Sequence, residues 1–60
     1  MITFQHTLDD IDYTVVAFNI EEFSSRIEAD FNVFDDDGVK KSISKNDAKA
    51  ILEHIEEIVR

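Results

Sequence analysis

Ser44-Lys45-Asn46-Asp47-Ala48-Lys49-Ala50-Ile51-Leu52-Glu53-His54-Ile55-Glu56-Glu57-Ile58-Val59-Arg60 is the stretch against which every other segment must pack. Ala48, Ile51, Leu52, Ile55, Ile58 and Val59 recur at spacings of three and four, which puts them on one stripe of an α-helix. Lys49, Glu53, Glu56 and Glu57 fall elsewhere on its surface. Ser44 stands at the N-cap position, and Asp47 answers it much as the Glu of a capping box would, with its charge near the positive end of the helix dipole. Arg60 lies at the negative end. A helix with a single apolar stripe needs a partner surface, and the residues before it read as a sheet with one matching face.

Ile2 to Leu8 alternate strictly, with Ile2, Phe4, His6 and Leu8 on one side and Thr3, Gln5 and Thr7 on the other, the pattern of a half-buried strand. Asp9-Asp10 makes a two-residue turn, where Asp tolerates positive φ. That turn sets Leu8 opposite Ile11, His6 opposite Tyr13, Phe4 opposite Val15 and Ile2 opposite Ala17, so both apolar sets share one face. The second strand, about Ile11 to Ile20, is apolar on both faces and therefore central. Glu21 to Ser25 is a polar connection. From Arg26 the alternation resumes, with Ile27, Ala29, Phe31 and Val33 on one face and Glu28, Asp30, Asn32 and Phe34 on the other. A loop with an odd number of residues would bring Ile27 to Val33 beside Tyr13, Val15 and Ala17. Asp35-Asp36-Asp37-Gly38 is a turn whose glycine takes the left-handed position of a type I turn with a bulge. Val39 to Ile43 forms a short edge strand that Lys40 and Lys41 protect from further pairing. The expected fold is α+β, a three- to four-stranded antiparallel meander (β-β-β-(β)-α) with the C-terminal helix on one face. Its core is Phe4, Leu8, Tyr13, Val15, Ile27, Phe31 and Val33 against Ile51, Leu52, Ile55 and Ile58. Residues 1–60 form a single domain, with no repeat, proline or linker to divide them.

Sixty residues build only a thin core, and without cysteine neither a disulfide nor a Cys/His zinc site can reinforce it. No apolar run approaches the roughly 20 residues of a membrane span. Neither a membrane partner nor a signal peptide is expected, and a soluble cytoplasmic protein is the expectation. The net charge of -8 is unevenly placed. Residues 1–39 carry ten acids against the single base Arg26, whereas residues 40–60 carry five bases against four acids. The acidity belongs to the sheet. Direct nucleic-acid binding is disfavoured, because phosphate contacts need clustered Lys and Arg. A basic protein is the natural complement, and solubility alone is the simpler explanation of the same charge.

Candidates for chemistry are few. Asp35 to Gly38 looks like part of a calcium loop, but an EF-hand with Gly38 at its sixth position requires acids where Val33 and Ser44 stand and an apolar residue where Lys40 stands. His54 and Glu57 sit three apart on the helix, too few for a metal site, and His6 is expected on the inner sheet face near Tyr13. A phosphate loop, a nucleophile elbow and a cysteine nucleophile are all missing from the sequence, and a three-stranded sheet with one helix offers little concavity to separate two carboxylate pKa values. No enzyme, cofactor or metal site is expected.

The informative surface is the sheet face away from the helix. Val16, Phe18, Ile20 and Phe34 are expected there, rimmed by Asp12, Glu28 and Asp30, with Asp35, Asp36 and Asp37 adding charge at the turn. An apolar patch bordered by acids marks contact with another protein. A second copy of the chain could bury the same patch, which makes a homodimer the alternative.

The Asp/Glu-rich hairpin and second strand, the Asp/Gly turn and the C-terminal Ile51-Leu52-Glu53-His54-Ile55-Glu56-Glu57 helix together resemble small acidic accessory proteins of bacteriophages. The resemblance implies a viral product acting in the host cytoplasm, in some cases as an inhibitor that occupies a basic, nucleic-acid-binding surface of a host protein. The functional expectation is thus a non-enzymatic acidic protein-binding module. A small assembly protein that self-associates through the outer sheet face is the alternative.

Overall fold

The computed structural model describes residues 1–60. Strands β1 (Ile2–Leu8), β2 (Ile11–Glu22), β3 (Ile27–Phe34) and β4 (Lys40–Lys41) form one antiparallel sheet in the order β1-β2-β3-β4, and helix α1 (Lys45–Val59) packs against one face. The fold is the expected α+β meander. Asp9 and Asp10 both hold positive φ, 51° and 65°, as a type I′ turn requires, and β1 pairs with β2 in the register that this turn dictates.

The junction of β2 and β3 differs from the simple alternation. Val15 faces Val33 and Ala17 faces Phe31, so the inner face is continuous. The connection Phe23–Arg26, however, has an even number of residues, closed by the main-chain hydrogen bond from Phe23 N to Arg26 O at 2.8 Å. Parity is restored by a register shift between Phe18 and Glu21, where Asn19 holds φ 51°. One extra residue in β2 reverses every side chain beyond it. Ile20, expected on the outer face, therefore packs against the core, and Glu21 points outward opposite Glu28.

The second hairpin follows its turn chemistry. Gly38 holds φ 78°, its N–H donates to Asp35 O at 3.0 Å, and Asp35 N donates to Val39 O at 3.0 Å, the type I turn with a glycine bulge. β4 is confined to Lys40 and Lys41, shorter than the expected Val39 to Ile43, and Val39 is exposed.

The fully buried core is Val15, Ala17, Ile27, Val33, Ile51 and Ile55. Phe4, Tyr13, Phe31 and Leu52 pack around it half-buried, with Ile2, Ala29, Ile43 and Val59. Ile58, assigned to the core by periodicity, is 43% exposed, and Leu8 is only half-buried outside the cluster. Apolar spacing shows which face a residue takes, not how far along that face the cover extends. α1 begins with Ser44 as N-cap, its hydroxyl accepting from Asp47 N at 3.2 Å, and closes with Arg60 N donating to Glu56 O at 3.1 Å. A polar tie fixes the helix to the sheet, since Ile27 N donates to Glu56 Oε1 at 3.2 Å. Glu56 thus satisfies the first main-chain donor of β3. No helix is long and apolar enough to cross a membrane.

Candidate protein-interaction surface

Along β2 before the bulge, and along β3, alternate residues turn away from α1. Register places Val16 between Thr3 of β1 and Asn32 of β3, Phe18 beside Asp30, and Phe34 between Thr14 and Lys40. Val16, Phe18 and Phe34 are half-buried and belong to no part of the core cluster, so three of the four expected apolar residues share the outer face. Ile20 is the one the bulge removes.

The acids stand at the ends of this strip. Asp12 lies at one end, hydrogen-bonded by Thr7 Oγ1 at 2.5 Å. At the other, Asp30 accepts from Asn19 Nδ2 at 3.1 Å, and Glu28 sits opposite Glu21 while pairing with Arg26 at 3.0 Å. Like charges directly opposite across strands repel, and the exposed Arg26 offsets only part of that. Glu21 was not among the residues expected here. The signal for it was Asn19, a residue that tolerates positive φ set in an otherwise apolar run. Lys40 beside Phe34 is a base on the same face, placed there by the β3–β4 pairing.

The three aspartates of the second turn differ in role. Asp36 and Asp37 are exposed. Asp35 is half-buried, its Oδ1 accepting from Asp37 N and Val39 N, each at 2.9 Å, with Lys41 Nζ 3.5 Å from Oδ2. The Val39 hydrogen bond chiefly holds its carboxyl below its ordinary pKa; desolvation, next in size, opposes it, and the Asp37 and Lys41 contacts add to the lowering. Asp35 builds the turn, so its carboxylate is committed there, and the free charge at this corner is that of Asp36 and Asp37.

The two histidines meet on the opposite face. His6 on β1 and His54 on α1 place their Nδ1 atoms 2.9 Å apart, and Phe4 stacks at a tilt on His54 with ring centroids 4.5 Å apart. One ring must donate and the other accept, so two protonated rings would bring donor against donor. Partial burial, then the neighbouring His54, lowers the pKa of His6, against a smaller upward pull from Asp47. No three His, Asp or Glu side chains converge in the geometry of a metal site. No protein-family model, curated protein or solved structure matches this chain.

Proposed function

We propose that the protein is a non-enzymatic binding module that docks its outer sheet face on a basic protein surface, of the kind other proteins use to hold DNA or RNA. The observation that carries this reading is an apolar strip, Val16, Phe18 and Phe34, flanked by Asp12 at one end and by Glu21, Glu28 and Asp30 at the other. The apolar residues would anchor the contact once desolvated, while the carboxylates steer encounter and fix orientation. A cation from the partner would relieve the repulsion between Glu21 and Glu28. A second copy seated on this face would bring acids against acids, which favours a basic partner over self-association here. Origin in a phage, with action as an inhibitor in the host cytoplasm, extends the reading on resemblance alone.

Affinity capture at low ionic strength, comparing the native chain with a Glu28→Lys/Asp30→Lys double variant and with Phe18→Ser, tests it. The native chain should retain a basic protein that both variants lose, and retention should collapse as salt rises. Recovery of nothing by the native chain, or equal recovery by all three, would sink the proposal.

A further inference from the structure

The Asp9-Asp10 turn determines which main-chain groups of β1 remain unpaired. In a two-residue hairpin the flanking residues, Leu8 and Ile11, exchange main-chain hydrogen bonds, and such pairs then alternate along the ladder. Ile2, Phe4 and His6 accordingly direct their N–H and C=O groups to β2, whereas those of Thr3, Gln5 and Thr7 point out of the sheet. β1 is an outer strand with no neighbour on that side. The opposite edge is protected in a familiar way, being two residues long and made of Lys40 and Lys41. β1 has no such protection. It runs seven residues with no charged side chain, proline or bulge. Gln5 and Thr7 are tied back to β2 through Thr14 and Asp12, so their side chains do not cover the edge.

We propose that β1 pairs antiparallel with β1 of a second copy of this chain, about a two-fold axis through Gln5, joining the two sheets into one. Charge and register both select a second copy. In a chain of net charge -8, two copies repel wherever acids face each other, and β1 is the long strand free of them. The free main-chain groups are symmetric about Gln5, so Gln5 meets Gln5 and Thr3 meets Thr7, with about six main-chain hydrogen bonds across the two-fold. On the inner face the same register sets Ile2 beside Leu8 and Phe4 beside His6, all four half-buried in the single copy and covered in the pair. Both helices then lie on one side, and both outer faces form one continuous surface on the other. The pairing stands independently of what docks on that surface.

Amide hydrogen exchange and sedimentation from micromolar to millimolar concentration test it together. The N–H groups of Thr3, Gln5 and Thr7 should become protected as concentration rises, in step with a doubling of mass. Gln5→Pro removes an N–H that faces solvent in the single copy, a position where an edge strand accepts proline, and should abolish the dimer while the fold persists by circular dichroism. Gln5→Lys, which sets two cations on the axis, should do the same and serves if the proline variant unfolds. Phe18→Ser should leave the dimer intact. A native chain that stays monomeric with these three amides unprotected at millimolar concentration would overturn the proposal, leaving the edge to a strand of another protein. A dimer lost in Phe18→Ser but kept in Gln5→Lys would overturn it in favour of the outer face.

Discussion

At the scale of the residue, identical side chains do different work according to their surroundings. Asp9 and Asp10 supply positive φ, Asp35 organises a turn through its carboxylate, and Asp12 and Asp30 remain at the surface. The first role is legible from a two-residue gap between alternating strands. The second is not, because Asp35-Asp36-Asp37 is a run of identical residues and only the bulge at Gly38 decides which one faces Val39 N. His6 gives the residue-scale prediction. Its folded pKa lies below 6.5, so the unfolded chain takes up a proton that the folded one resists. Stability against urea should be undiminished above pH 6.5 and fall as pH drops from there towards the folded value, in a window above most carboxylate titration, which lies near about 4. His6→Gln should remove that slope. An NMR titration placing His6 at or above 6.5 would contradict this account.

At the scale of the element, α1 was readable because its stripe, its N-cap and its length agree. The structure narrows the stripe. Ile51 and Ile55 are fully buried, whereas Ile58 is 43% exposed. Ile51→Ala should cost about 2–5 kcal/mol, and Ile58→Ala should cost less than about 1 kcal/mol. Denaturant titration of both variants checks the difference, and equal losses would mean that the helix is rotated from the position described. β2 was legible up to Phe18 and misread beyond it. Both faces of that strand are apolar, so hydrophobic alternation carries no parity there, and a one-residue bulge changes faces without changing the pattern. Asn19 was the residue that could have marked it.

At the scale of the whole molecule, only six residues are buried below a sheet that carries most of the charge, so self-repulsion works against a thin core. Raising sodium chloride from about 0.01 to 1 M shortens the screening length from about 30 to 3 Å and should raise the melting temperature. A fall would show that the ion pairs Arg26–Glu28 and Lys41–Asp35 outweigh the repulsion, although both are partly exposed. The sequence by itself determined the element order, the β1–β2 register, the helix cap and the side of the sheet that α1 covers. Each of these follows from local rules, namely side-chain period, turn length and capping chemistry, that act within a few residues. Only the tertiary structure decided that Ile20 turns inward, that Glu21 confronts Glu28, that Glu56 reaches Ile27 and that His6 meets His54. Those contacts join residues far apart in the chain or depend on a single inserted position, and no local rule carries information across that distance.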